Sequence, residues 1–447
     1  MLAVLANRTY RHLLFAQIIA LVGTGLATIA LGLLAYDIAG GNAGEVLGTA
    51  LAIKMIAYVG IAPIAGAFAD RVPRRALLVT LDLVRAGVAI CLPFVTEIRQ
   101  IYCLIFVLQS ASAAFTPTFQ ATIPDVLPDE RDYTRALSLS RLAYDMENIT
   151  SPLLAAALLT VINFHWLFSG TAVGFLASAL LVLSVTLPRP EASAKRDAGI
   201  YDKTTRGIRI YLKTPRLRGL LAITLSAAAA SSMVIVNTVV LVRDTLGLSQ
   251  QDVALTMAAY GLGSMAAAFA LPAILDRMPD RPVMLGAAAM LSVGLGVMAW
   301  ISASVPAGPA FWYLLLGGWL ILGVAYSMSL TPSGRLLKRS ANADDRPALF
   351  AAQFALSHVC WLICYPLVGK LGASVSMTAA FAAMSAIAFV GTLAAVLLWP
   401  SRDPDLVPHE HPELGGDHEH VRSQHASGAT SHAYVIDDLH PEWTKPG

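Results

Sequence analysis

Long apolar runs alternate with short polar breaks along most of the chain, at residues 12–36, 46–68, 76–96, 100–120, 136–162 and 166–187, then at 218–242, 252–275, 283–303, 310–334, 347–370 and 373–399. Crossing a bilayer takes roughly 20 apolar residues in a helix, so the pattern predicts twelve membrane-spanning helices. Only the short break at residues 369–372 divides the last two runs. One polar break is nearly repeated: Asp70-Arg71-Val72-Pro73-Arg74-Arg75 returns 206 residues later as Asp276-Arg277-Met278-Pro279-Asp280-Arg281, each time between the second and third run of its set. The chain therefore reads as an all-α membrane protein made of two six-helix pseudo-repeats, residues 1–187 and 218–400. Parallel repeats of this kind place a substrate path at their interface.

Polar segments complete this plan. Residues 188–217 hold Pro188, Pro190 and eight Lys or Arg residues, as expected of a cytoplasmic linker lying against anionic lipid. This stretch reads either as a solvated connector or, around residues 205–212, as a short amphipathic helix. Beyond residue 400 the chain turns polar, and Pro404, Pro408, Pro412, Gly415 and Gly416 predict a disordered tail over residues 401–447. Arg8, Arg11, Arg74, Arg75, Arg131, Arg135, the linker cluster, Arg277, Arg281 and Arg335 all fall on one side of the twelve-helix plan, against Arg99, Arg243 and Lys370 on the other. By the positive-inside rule both termini are cytoplasmic.

Composition narrows the function classes. Hydrophobic residues make up 56% of the chain and charged residues 13%, against about 25% charged in soluble proteins. The net charge of +2 suggests no nucleic-acid partner. No catalytic triad, nucleotide-binding loop or phosphorylation motif stands out, so neither an enzyme nor a bound cofactor is expected. The first run is too long for a signal peptide and lacks a small-residue cleavage site at its end, which makes it a membrane anchor. Cys91, Cys103, Cys360 and Cys364 all sit inside predicted helices and are expected to be reduced thiols.

Candidate chemistry lies in three places. Seven of the ten histidines are in the tail, where His409-Glu410-His411 recurs as His418-Glu419-His420 and is followed by His425. In an extended chain, residues two apart share a side, so each pair offers two imidazoles to one ion. Imidazole suits several divalent transition metals, and the competing reading is a tail with incidental histidines. The fifth run carries Arg141, Asp145, Glu147 and Asn148, costly inside a membrane unless paired or hydrated. Starting that helix near residue 136 puts Asp145 and Glu147 about midway across. Arg141, Asp145 and Asn148 share a face, either as a structural ion pair or as a cation and proton site, while Glu147 points elsewhere, toward the same cavity or a helix contact. The eleventh run offers His358 on a face with Trp361 and Tyr365, and Gln353, Ser357, Cys360 and Cys364 on another; one stripe meets the cavity. Asp82 and Arg85 read as an internal pair, and Lys54 as a lysine snorkelling outward.

The stretch Gly66-Ala67-Phe68-Ala69-Asp70-Arg71-Val72-Pro73-Arg74-Arg75 resembles the loop signature of the major facilitator superfamily, with Phe68 and Pro73 replacing the usual Leu and Gly. The resemblance covers all twelve runs. It implies a gating loop formed by Gly66, Asp70, Arg71, Arg74 and Arg75 and echoed by Asp276 and Arg277, with Arg74 and Arg75 holding the loop at the cytoplasmic surface. Residues 148–156 stand where antiporters of the family carry a Gly- and Pro-rich pattern, with Pro152 retained and Ser151, Ala155 and Ala156 in place of glycines. Gln109 replaces an Arg common in drug exporters of the family. The His-rich tail, the fifth-helix acids and Ser357-His358-x-x-Trp361-Leu362 resemble the nickel-resistance branch. That branch implies a monomeric carrier in the bacterial inner membrane that exports Ni²⁺ or Co²⁺, a divalent metal ion as substrate, driven by protons. An exporter of small organic compounds and a metal-buffering or sensing membrane protein are the alternatives.

Overall fold

The computed structural model describes residues 2–68, 73–187, 200–342, 345–403, 406–408, 431–436, 440 and 442–443. Its helices are α1 (Arg8–Ala39), α2 (Ala43–Phe68), α3 (Arg74–Cys91), α4 (Ile98–Val126), α5 (Glu130–Leu158), α6 (His165–Leu183), α7 (Ile200–Lys213), α8 (Pro215–Val240), α9 (Gln250–Leu275), α10 (Asp280–Ser304), α11 (Pro309–Leu330), α12 (Ser333–Arg339), α13 (Arg346–Ser374) and α14 (Met377–Leu398). Twelve of them, all but α7 and α12, have 18 residues or more and coincide with the twelve apolar runs. Among the described residues, ten segments are long and apolar enough to span a membrane, the first of which, Arg8–Ile61, contains α1 and most of α2.

Local chemistry sets several of the boundaries. Asn7 caps α1 by accepting from the Tyr10 N–H at 3.0 Å, and Ser249 with Asp252 forms a capping box on α9. The expected break at residues 369–372 is displaced. α13 runs on to Ser374, and Ser376 starts α14 by accepting from the Ala379 N–H at 3.0 Å. Gly369 and Gly372 are instead packing glycines inside the helix: a Cβ on Gly369 would lie 2.2 Å from the Gly44 carbonyl oxygen. In the linker, α7 is the amphipathic alternative, longer than residues 205–212.

The two units repeat each other's packing. In the first, α6 packs on α1 and α3, and α4 on α2 and α3; in the second, α14 packs on α8 and α10, and α11 on α9 and α10. The units meet through two equivalent crossings, α2 with α13 and α9 with α5. The duplicated loops keep this correspondence to the side chain. Arg75 donates to the Leu183 carbonyl at the end of α6, and Arg281, 206 positions on, donates to the Trp399 carbonyl after α14 at 3.0 Å. Arg74 pairs with Asp125; its counterpart Asp280 faces Arg335 at 3.6 Å, the same bridge with its charges exchanged. Arg74 is buried within its own unit by this bridge.

Apolar packing divides the molecule lengthwise. At the end where α1 turns into α2, one core draws on both units, including Leu34, Leu47, Val236, Leu241 and Val368. At the opposite end, which carries Arg74, Arg216 and Arg339, the units keep separate cores: Tyr10, Leu13, Leu78, Phe115 and Ile123 in the first, and Tyr211, Leu217, Leu220, Met284 and Trp399 in the second. Among the described residues, the first end has a core shared by both units and the second has two separate ones. Backbone contact makes the seal tight, since a Cβ on Gly48 of α2 would lie 2.4 Å from the Tyr365 carbonyl oxygen of α13.

Two pieces of the tail, expected to lack a packed core, carry structure. The strands β1 (Leu406–Pro408) and β2 (Ser431–Ala433) pair antiparallel, with Val407 opposite His432. Tyr434 and Ile436 then enter the core of the second unit at its split end. Asp403 joins this region together, 3.4 Å from Arg216 and 3.2 Å from Arg339, and accepts from the Trp399 indole at 3.1 Å. The Arg216 guanidinium lies 5.1 Å from the Trp443 ring.

Candidate functional site

The seam between the units, where α2 crosses α13 inward of the glycine seal, gathers the charged and aromatic groups. Lys54 and Tyr58 lie four apart on α2 and so share a face. The Lys54 ammonium sits 5.7 Å from the Tyr58 ring centroid. Across the seam, the His358 imidazole lies parallel to the Tyr58 ring, 5.2 Å between centroids and 7° between planes. Phe354 closes the group at 4.1 Å from His358, and Trp361 follows at 6.3 Å. Glu147 reaches the same place from α5. It interacts electrostatically with Lys54, which acts in turn on His358. The Glu147 stem packs against α1, 3.5 Å from where a Cβ on Gly25 would stand.

Lys54 corrects its predicted role, because it turns inward to the seam and an internal cavity and does not snorkel to the surface. It is 11 residues into α2, about 16 Å from the helix start and near the middle of a hydrocarbon core of about 30 Å. The reasoning that singled out Glu147 by depth applies equally to Lys54, and that was the available signal. An ammonium and a carboxylate are each costly at this depth and offset one another when they face.

The question of which α13 stripe meets the other unit is settled by geometry. His358 faces α2, while Gln353 accepts from the Tyr211 hydroxyl of α7 and Cys360 lies within electrostatic reach of that same tyrosine. Cys360 and Cys364 are buried free thiols on this second side. The His358 Nδ1 lies 2.6 Å from the Phe354 carbonyl oxygen. A carbonyl only accepts, so Nδ1 carries the hydrogen and Nε2 keeps its lone pair. Trp361 donates to the Ser231 hydroxyl of α8 at 2.8 Å, which fixes this part of α13 to its own unit.

The other predicted residues are distributed as follows. Arg141, Asp145 and Asn148 belong to α5, but their side chains lie outside the described residues, as do Asp70, Arg71 and the tail histidines His409, His411, His418, His420 and His425. Gly66 is in the last turn of α2, and Asp276 and Arg277 follow the end of α9, where their backbone N–H groups donate to Pro272 and Ile274. Asp82 and Arg85 do pair, away from the seam. Ser178 of α6 donates to Asp82 at 2.7 Å, and the Arg85 guanidinium lies 4.1 Å and 4.5 Å from the Phe115 and Phe175 rings. Among the described residues no three His, Cys, Asp or Glu side chains converge as a metal cage.

Sequence comparison decides the family. The pattern described as Major Facilitator Superfamily matches residues 13–304 and again residues 220–425. The chain belongs to the Major Facilitator Superfamily. It is a multi-pass membrane protein. Among similar proteins of this superfamily, the uncharacterized transporter YvqJ of Bacillus subtilis is 22% identical over 79% of this chain and 83% of its own. YfiS of the same organism is 28% identical over 29% of this chain. The macrolide efflux protein A of Enterococcus faecalis is 24% identical over 32% of this chain and 47% of its own. The chain spans 30% of the length of YfiS and 46% of that of YkuC, another Bacillus subtilis relative. In fold it is similar to a POT family transporter solved with 5-aminolevulinic acid, with TM-score 0.68 at 12% identity over 88% of this chain and 96% of that one. It is also similar to a bacterial homologue of the human lysosomal transporter Spinster, with TM-score 0.65 at 13% identity over 87% and 95%.

Proposed function

We propose that this superfamily member exports a divalent transition metal ion, Ni²⁺ foremost and Co²⁺ second, from the bacterial cytoplasm in exchange for protons. The observation that carries the reading is His358. Its Nδ1–H is committed to the Phe354 carbonyl, the arrangement typical of a metal-ligating imidazole, and its Nε2 lone pair is available at the seam. Glu147 supplies a carboxylate from the opposite unit, and Asp145 and Asn148 of the same helix are proposed as further oxygen ligands. Lys54 balances Glu147 while the site is empty and is displaced when the ion enters. The split end, with its arginines, is the cytoplasmic end by the positive-inside rule, so the site is reached from the cytoplasm while the glycine seal closes the outer side. Both termini are then cytoplasmic, the carrier works as a monomer in the inner membrane, and Asp70 and Arg71 latch its gating loop.

The acid-interleaved histidines of the tail support the metal reading, and the resemblance to the nickel-resistance branch adds to it. A second reading, export of an organic compound, is favoured by the aromatic wall of Tyr58, Phe354 and Trp361, and relatives that include macrolide efflux proteins support it. Uptake into inverted vesicles of Ni²⁺, Co²⁺, Zn²⁺ and a dye panel, with and without an acid interior, separates the two. Acid-driven Ni²⁺ uptake that drops at least tenfold in His358→Ala is expected. Acid-driven dye uptake with no metal flux would transfer the seam to the organic reading, and no flux of either kind would leave only buffering or sensing.

A further inference from the structure

Three helices meet around one amide at the sealed end. Asn237 lies three residues before the end of α8, Gly44 is the second residue of α2, and Gly372 stands two residues before the end of α13, so all three sit within about 5 Å of that end. The Asn237 side chain is fully buried there. Its Nδ2 lies 3.3 Å from the Val368 carbonyl oxygen and 3.4 Å from the Met233 sulfur. Because a carbonyl only accepts, this contact fixes which end of the amide is nitrogen. The oxygen, Oδ1, points into the crossing of α2 and α13, where a Cβ on Gly44 would lie 2.5 Å from it and a Cβ on Gly372 2.9 Å.

That oxygen has no hydrogen-bond donor among the described residues. Gly44 and Gly372 offer it only C–H groups, which are weak partners. Next along α8, Thr238 shows the usual solution, since its hydroxyl donates to the Val234 carbonyl and accepts from the Trp319 indole at 2.9 Å. The internal repeat shows that packing does not call for an amide here. A Cβ on Gly174 of α6 would lie 3.2 Å from the Ile19 carbonyl oxygen of α1, and a Cβ on Gly391 of α14 2.7 Å from the Ala222 carbonyl oxygen of α8. The same correspondence, 203 positions along the chain, sets Asn237 level with Leu34 of α1, a buried member of the shared core. One unit has an apolar side chain where the other has an orphaned acceptor.

We propose that Asn237 is the release element of the glycine seal: its amide oxygen is unpaired only while α2 packs on α13, and it makes the closed end less stable than an apolar side chain would. A buried acceptor without a donor forfeits its hydration and gains no bond in exchange. When the units part at this end, water reaches Oδ1 and the penalty disappears. The Nδ2 bond does not change in the same way, because α8 and α13 belong to one unit and move together. Only the difference between the two states shifts their populations, so the oxygen favours opening and the nitrogen is neutral. Backbone-to-backbone contact at Gly44, Gly48 and Gly369 holds the seal shut, and Asn237 keeps it from being too stable to open.

The assignment does not depend on which compound is carried, and its test needs none. Full-length Tyr58→Cys protein, with and without Asn237→Leu, is placed in vesicles, and a membrane-impermeant maleimide is added at the sealed-end face. Labelling at position 58, inward of the seal, is followed by mass spectrometry of the peptide. Asn237→Leu is expected to slow this labelling at least fivefold and to raise the melting temperature in detergent. Unchanged labelling would overturn the proposal. Faster labelling with a lower melting temperature would also overturn it and make the amide a clamp that acts through Val368. If Asn237→Leu does not insert, Asn237→Val, which also lacks a polar atom, is read by the same labelling with the same outcomes.

Discussion

The two six-helix units share a packing plan and divide their chemistry. Within the membrane the first unit carries Lys54, Asp82, Arg85, Arg141, Asp145 and Glu147; the spanning cores of the second, residues 219–242, 253–275, 282–304, 309–334, 347–369 and 371–399, contain no Asp, Glu, Lys or Arg. Its interior polarity is neutral instead: the Trp319 indole donates to Thr238 at 2.9 Å, Trp361 to Ser231 at 2.8 Å, and Asn237 to the Val368 carbonyl at 3.3 Å. Charge at midplane is costly and is kept where ions move. On the proposed reading, the first unit handles charge and the second supplies one imidazole on a neutral frame.

The largest effect expected from breaking this division is at the seal that both units share. Gly48→Leu forces a side chain against the Tyr365 backbone, so the sealed end is expected not to close and transport to fall to background. Surface levels stay normal, and a cysteine-reactive probe applied from the sealed end labels a cysteine introduced beside Lys54. Next is the charge pair of the first unit that does not meet the seam. Asp82→Asn leaves a buried guanidinium without its carboxylate, a loss of about 3–5 kcal/mol in comparable cases, read as a clear drop in melting temperature in detergent. Trp319→Phe in the second unit removes one neutral hydrogen bond and costs about 0.5–1.5 kcal/mol. If the two substitutions proved equally damaging, the contrast between the units would fail. The smallest effect belongs to the tail. Replacing residues 409–430 by a short Gly/Ser loop keeps the strands and the docked residues Tyr434 and Ile436, so melting temperature is unchanged while tolerance to low Ni²⁺ declines.

Much of the architecture was legible because one physical constraint dominates it: backbone polar groups in a bilayer must be satisfied within helices, so every spanning helix shows as an apolar run. The internal pairing of Asp82 with Arg85 was equally readable, being set by helical spacing alone. Lys54 was misread because a lysine on a spanning helix either snorkels or turns inward, and the choice depends on which neighbours α5 and α13 bring to it. The fate of Gly369 was hidden for a related reason: a Gly-rich interval looks like a turn until a second helix, here α2, is pressed against it. The opposed bridges Arg74–Asp125 and Asp280–Arg335 were half visible. The loops repeat in sequence, and their partners come from helix ends 51 and 55 residues onward.

The most direct test of the division of labour is a simultaneous record of Ni²⁺ uptake and proton release in inverted vesicles with an acid interior, for the wild type and Glu147→Gln. The result expected is proton exit in fixed ratio to Ni²⁺ uptake in the wild type, and in Glu147→Gln the loss of both acid-driven uptake and linked proton exit, with the protein inserted at normal levels. An unchanged ratio and rate in Glu147→Gln would contradict the account, because the charge exchange would then take place somewhere other than the Lys54 and Glu147 seam.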